Sequence, residues 1–253
     1  MKRKLGFAGL VVLLLIVCGS RGFALSPYVA VDGRIGLANR SPAGLMGLES
    51  PEFGLKLRIV SQDQGTHSRE YRMIYAEPDY GTGAGSLHFI YSDAYRRATY
   101  AVADQAVDSV NVGLALNYIN IPIGEDQKEQ YVSADLGLQL GNLWLVRFGV
   151  LVENLVYVKL DKEYADLSRN VIAGAAVKLG DFGIAALDVD DLLNKNAKRR
   201  LIFGLEVKPV RLLALRAGWD EGWSLGAEFS CNQISFGYDW AQGQHQLSLN
   251  WKF

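Results

Sequence analysis

The chain has 253 residues, 49% of them hydrophobic, with 26 basic and 27 acidic side chains and two cysteines. That balance leaves no basic field for a nucleic-acid partner, and two cysteines are too few for a disulfide framework at this length.

At the start, Lys2, Arg3 and Lys4 precede an apolar run from Leu5 to Val17, and the small residues Gly22 and Ala24 stand where a signal peptidase reads. Residues 1–24 therefore read as a cleaved signal peptide; the run is shorter than the roughly 20 residues of a spanning helix. Val17 before Cys18 is not the small residue that lipidation would require. Loss of Lys2, Arg3, Lys4 and Arg21 reduces the 26 basic residues to 22 against 27 acidic ones, a net of about −5, and leaves Cys231 alone.

From residue 51 onward the apolar residues recur with the period of two that belongs to strands. "FGLKLRI" opposes Phe53, Leu55, Leu57 and Ile59 to Lys56 and Arg58. "EYRMIYA", "GSLHFIYS" and "RATYAVA" follow, then "SVNVGLALNY" and "YVSADLGLQL", with Asn111, Gly113, Asn117, Ser133, Asp135, Gly137 and Gln139 on the polar face. "LWLVRFGVLV", "VIAGAAVKL" and the less regular "DFGIAALDV" lead into "LIFGLEVK", "LALRAGW", "WSLGAEFS", "NQISFGYDW" and "HQLSLNWKF". About fourteen strands result, or twelve if the irregular ones merge.

The class depends on which face is covered. A soluble sandwich or barrel turns its apolar face inward; an outer-membrane barrel turns it to lipid and keeps polar residues inside. Trp219, Trp223, Trp240, Trp251, Phe253 and Tyr118 lie near strand ends, as interfacial aromatics do. Short connections at 141, 180, 208 and 231 alternate with long ones, "ENLVYVKLDKEYADLSR" and "DLLNKNAKRR", the second suggesting a brief helix in an external loop. The last strand, alternating to its end, can close against the first, and open edges are not tolerated in lipid. The expectation is an all-β fold: an antiparallel transmembrane β-barrel over residues 51–253 with a short N-terminal plug segment, residues 25–50. A soluble secreted barrel enclosing a lipid is the outside alternative.

Two resemblances follow. The closing strand, with Leu249, Trp251 and Phe253 on one face, resembles the signal by which bacterial outer-membrane proteins are recognised for insertion. This implies outer-membrane lipid and the barrel-insertion machinery as partners. "GLANRSPAGLMGLESPEFGLKLRI" is similar to the start of the FadL-like fatty-acid transporter superfamily and its PorV-like relatives, matching at Ala38, Pro42, Ala43, Gly44 and Leu45, with Ser41 where Asn is usual. There the segment tucks into the barrel as a plug. The resemblance implies passage of small hydrophobic or amphipathic, in part anionic, compounds across the outer membrane of a Gram-negative-type bacterium. Alternatively it implies a non-transporting assembly or secretion partner of the PorV kind.

The strand faces assign Lys56, Arg58, Arg72, Arg97, Arg147, Lys178, Lys208, Arg216 and Lys252 to the lumen, against Asp135, Glu206, Glu228 and Asp239. Glu206, Arg216 and Glu228 fall on successive strands, placed to form a ladder. Each charge reads either as a structural pair, since unpaired buried charge is costly, or as part of a basic lining that favours anionic solutes. Enzymatic chemistry is not expected: Ser86 and His88 share a face with no acid placed to orient His88, and "GTGAG" at 81 lacks the setting of a phosphate loop. His67 and His245 fall in loops, so neither a metal nor a cofactor is expected. Gly183 and Pro122 are candidates for a break in the wall.

Overall fold

The computed structural model describes residues 41–61, 67–123, 127–143, 145–160, 167–193 and 199–253. The expected signal peptide, residues 1–24, and the first part of the expected plug segment, residues 25–40, lie outside the described residues.

Alternation along the chain becomes fourteen antiparallel strands in one closed barrel, each paired with its sequence neighbours. They are β1 (Glu52–Ser61), β2 (His67–Glu77), β3 (Ala84–Ser92), β4 (Arg96–Val107), β5 (Val110–Ile123), β6 (Gln127–Leu143) and β7 (Val146–Lys159). The second half comprises β8 (Asn170–Lys178), β9 (Gly183–Asp190), β10 (Arg200–Val210), β11 (Leu213–Asp220), β12 (Trp223–Cys231), β13 (Ile234–Ala241) and β14 (Gln244–Lys252). β14 closes the circle on β1, from Glu52 opposite Lys252 to Val60 opposite Gln244. Lys252 Nζ lies 3.1 Å from Glu52 Oε1, and the Phe253 amide donates to the Pro51 carbonyl at 3.0 Å.

The apolar face points out and stays uncovered: Leu55, Phe89, Tyr100, Leu116, Phe203, Leu225, Phe236 and Trp251 are all exposed. The polar face, with Asn117, Ser133, Asp135, Ser224, Glu228 and Asp239, is buried inside. That is the reverse of a soluble barrel and the arrangement lipid requires. One end, the turn rim, carries β1's start, β14's end and the connections after β2, β4, β6, β8, β10 and β12; the other, the loop rim, carries the rest, of which those after β3, β11 and β13 are also short, so length does not alternate as strictly as expected. Among the described residues no helix is long and apolar enough to cross a membrane.

His67, the first residue of β2, and His245, in β14, are strand residues rather than loop ones, and three further details differ from the expectation. The stretch at 153–159, read as the start of a long loop, continues β7. Its alternation is masked because the ladder slips there: Ala134 pairs with Val156 and Leu136 with Val152, so three residues of β7 face Asp135 alone. Asn154 takes φ 53° in this bulge, a left-handed conformation that Asn tolerates, and its amide donates to Asp135 Oδ1 at 2.8 Å. Secondly, neither Pro122 nor Gly183 breaks the wall. Pro122 stays in register with Lys128, and a Cβ on Gly183 would stand 2.0 Å from the Glu206 carbonyl oxygen, so β9 and β10 touch closely there. Thirdly, residues 191–193 of the "DLLNKNAKRR" loop form a bend and turn; 194–198 lie outside the described residues.

Candidate functional site

Pro42–Gly47 form a single 3-10 helix inside the barrel, against β3, β4, β5 and β6. Proline at the first position suits it, because a helix start needs no amide hydrogen there. Ser41, Pro42, Ala43, Gly44 and Leu45 are all buried. The seat is built by subtraction. Gly113 on β5 and Gly137 on β6 face each other across the ladder. A Cβ on Gly113 would stand 2.4 Å from the Ala43 nitrogen and the Pro42 carbonyl carbon, and one on Gly137 would stand 2.8 Å from Ser41 Oγ. Around this notch Ala76, Ala84, Ala101, Ala103 and Ala115, with Ile74, form an apolar cradle for Leu45 and Leu48. Burying one leucine contributes about 1.5–3 kcal/mol. Alternation alone places Gly113 and Gly137 on the polar face and gives the alanines no role; the signal for the seat is that all of them repeat on the inward phase of neighbouring strands.

Across the lumen stands a ladder of charge. Arg216 on β11 donates through Nε to Glu206 Oε2 at 3.0 Å and through Nη2 to Glu228, and Nη1 lies 3.7 Å from Asp239 Oδ1. Gln246 Nε2 donates to Asp239 Oδ2 at 3.2 Å, and Lys208 Nζ lies 3.8 Å from Glu206. The three residues expected to align do so, and Asp239 and Gln246 extend the series over five strands, β10 to β14. A Cβ on Gly226 would collide with Asp239 Oδ1 at 1.9 Å, so this glycine makes room for the carboxylate.

Two further groups complete the lining. Arg72 donates to Glu70 at 2.6 Å; Arg58 Nη1 lies 4.0 Å from the same carboxylate and also bonds Gln244; and the Tyr95 hydroxyl donates to Glu70 Oε2 at 3.0 Å. Tyr95 lies in the β3–β4 connection, where burial and the adjacent Glu70 carboxylate push its hydroxyl pKa up. Arg97 Nη2 donates to Asn117 Oδ1 at 2.7 Å and to Asp135 Oδ2 at 3.2 Å, and Asn117 Nδ2 donates to the same Asp135 oxygen at 2.8 Å. Lys56 points inward between Arg72 and Ser248 in register. Arg147 faces inward on β7, opposite Ala176. Ser86 and His88 both face inward, and His88 Nε2 is buried without a hydrogen-bond partner among the described residues.

The excess of basic over acidic lining residues does not hold among the described residues. Glu52, Glu70, Asp188, Asp190 and Asp220 are also buried on the inward face. Asp190 and Asp220 hold Arg200, another inward residue that sequence reading passed over. Lys56, Arg58, Arg72 and Arg97 lie on β1–β4, and most of the inward carboxylates lie on β9–β13.

Leu249 and Trp251 project outward on β14, and the Trp251 and Phe253 rings stack with centroids 4.9 Å apart. Cys231, the last residue of β12, is exposed.

No protein-family profile matches the chain, and no curated protein matches its sequence. Among solved structures it is similar to the Pseudomonas putida toluene transporter TodX, with a TM-score of 0.62 and 12% identity over 92% of this chain and 97% of that one. A TodX mutant monoaromatic hydrocarbon channel gives 0.64 at 11% identity, covering 91% and 97%. The CymD monoaromatic hydrocarbon channel gives 0.61 at 12% identity, covering 92% and 94%. At such identities the likeness is one of fold: this chain shares the closed barrel architecture of those channels over nearly its whole length.

Proposed function

We propose that this protein is a FadL-like outer-membrane channel of a Gram-negative-type bacterium, through which small hydrophobic or amphipathic compounds move passively. The observation that carries the reading is the seated 3-10 segment: two facing glycines and a ring of alanines accept Ser41–Leu45 against one wall. A segment seated mainly by van der Waals contact against small residues is a stopper that can leave without breaking ion pairs. The uncovered apolar exterior supports the membrane setting. Channels with hydrocarbon solutes among the solved structures of like fold support the apolar part of the solute.

The polar lining narrows the other part. Lys56, Arg58, Arg72 and Arg97 stand on β1, β2 and β4, so an amphipathic solute presents its anionic end to this side of the barrel and its apolar end to the alanine cradle. Leu249, Trp251 and Phe253 serve the insertion machinery as the recognition signal. Planar-bilayer recording of the purified protein tests the channel, with residues 25–50 present and deleted. Deletion is expected to raise conductance. Absence of conductance in both forms would sink transport and favour an assembly or anchoring role.

A further inference from the structure

Inside the barrel the arginines meet carboxylates: Arg72 meets Glu70, Arg97 meets Asp135, Arg200 meets Asp190 and Arg216 meets Glu206. Outside, near the loop rim of β2–β6, the pattern breaks. Arg69, Arg96 and Lys128 are exposed on the outward phase of β2, β4 and β6, and none has an ion pair among the described residues. Glu70, next to Arg69, points inward and is taken by Arg72 and Tyr95. Asp93 sits beyond the strands, in the β3–β4 connection. Cations at a membrane boundary are tolerated there and attract anionic headgroups.

Their arrangement is regular. Tyr71, Tyr91 and Arg96 lie side by side in register, and the Arg96 guanidinium stands 4.9 Å over the Tyr91 ring. Arg69 and Lys128 sit one in-out repeat nearer the rim, on either side. Four strand spacings separate them, about 19 Å at about 4.8 Å each. One phosphodiester cannot bridge that width; a headgroup with two separated phosphates can. One repeat below Arg96, Ala98 is flanked in register by Phe89 and Tyr118. Its small side chain leaves a hollow in the outer wall lined by Leu87, Phe89, Tyr100, Leu116, Tyr118 and Val132.

We propose that this face of β2–β6 binds a diphosphorylated, multiply acylated glycolipid of the leaflet on the loop side. The phosphates pair with Arg69, Arg96 and Lys128, and one acyl chain occupies the hollow over Ala98. The inference rests on the membrane-spanning reading but not on transport.

The test is native mass spectrometry of the full barrel in neutral detergent, with hexa-acyl diphosphoryl lipid A, phosphatidylglycerol or phosphatidylcholine as the added probe. Wild type is expected to retain lipid A in preference to both phospholipids. The triple variant Arg69→Gln, Arg96→Gln, Lys128→Gln is expected to lose retention at least tenfold, and Ala98→Leu, which fills the hollow, several-fold. Heat-dependent gel migration should remain as in wild type, which separates loss of binding from loss of fold. Undiminished retention by the folded triple variant overturns the site, and phosphatidylglycerol held as firmly as lipid A overturns the glycolipid assignment. A protein recovered soluble without detergent overturns the membrane reading beneath it.

Discussion

Two opposite walls of the lumen, β3–β6 and β10–β13, hold their contents by different means. On β3–β6 the contact is shape: Gly113, Gly137 and the alanines leave a hollow, and the segment from Ser41 to Leu45 fills it. On β10–β13 the contact is charge: Arg216 stands among Glu206, Glu228 and Asp239, and Gly226 clears space for one of those carboxylates. Close packing of small groups resists compression but yields to sliding, whereas a charged cluster with several partners is costly to separate. One wall of this barrel is filled by shape and the other is tied by charge, and on the proposed reading only the occupant of the first can leave.

The largest expected effect comes from adding volume to the shaped wall. Gly113→Val places side-chain atoms where the Ala43 and Pro42 backbone now lies, 2.4 Å from the Cβ position, so the segment must leave its seat. Single-channel conductance is expected to rise to the level of the 25–50 deletion, with heat-modifiable migration retained. A silent channel of normal fold would break the comparison at its first half.

Next in size is the charged wall. Arg216→Met leaves three partly or fully buried carboxylates without their shared cation, and loss of one partner in such a cluster costs about 3–5 kcal/mol. Urea unfolding in micelles reads this as a lower midpoint, while conductance of the folded fraction should change little. A midpoint equal to wild type would mean that the ladder is solvated and contributes no rigidity.

Leu45→Ala is smaller. Truncation of a buried leucine costs about 2–3 kcal/mol at a site that can partly collapse. The loss is confined to the seat, so occasional channel openings are expected in place of a permanently open state.

The smallest effect lies at the rim of the cradle, in the turn joining β2 to β3. The Asp79 carboxylate accepts the amides of Gly81 at 2.7 Å and Gly83 at 2.8 Å, which hold its pKa below the usual carboxylate range. A depressed folded pKa means the contribution is fully present above the unfolded value of about 3.9 and is lost as pH falls through the folded value. Asp79→Ala is therefore expected to loosen protease protection of this turn slightly at neutral pH, and to match wild type in strong acid. An equal difference at both pH values would assign the effect to something other than the carboxylate charge.

Strand phase made much of this legible in advance. Lys56, Arg58, Arg72, Arg97, Glu206, Arg216 and Glu228 face inward because each sits on the polar phase of an alternating run. The fourteen strands and their circular order needed only that phase and short connections. What escaped depends on register, which phase does not supply. Gly113 and Gly137 become a notch only when the ladder sets them opposite one another. Asp239 joins Arg216 from two strands away. The run from Glu153 to Lys159 reads as a loop because the bulge at Asn154 gives it apolar residues on both phases. Arg200, Asp190 and Asp220 were missed because they sit at strand ends, where alternation gives out.

The seam between β1 and β14 has a bearing on how the molecule is made. Every other strand pair joins neighbours in sequence and can form as a local hairpin, but Glu52 meets Lys252 about 200 residues away. Loop closure over that length comes late and slowly. Until β14 arrives, the nascent sheet carries two raw edges, so the step that seals the wall also ends the period in which this chain is most exposed to pairing with another.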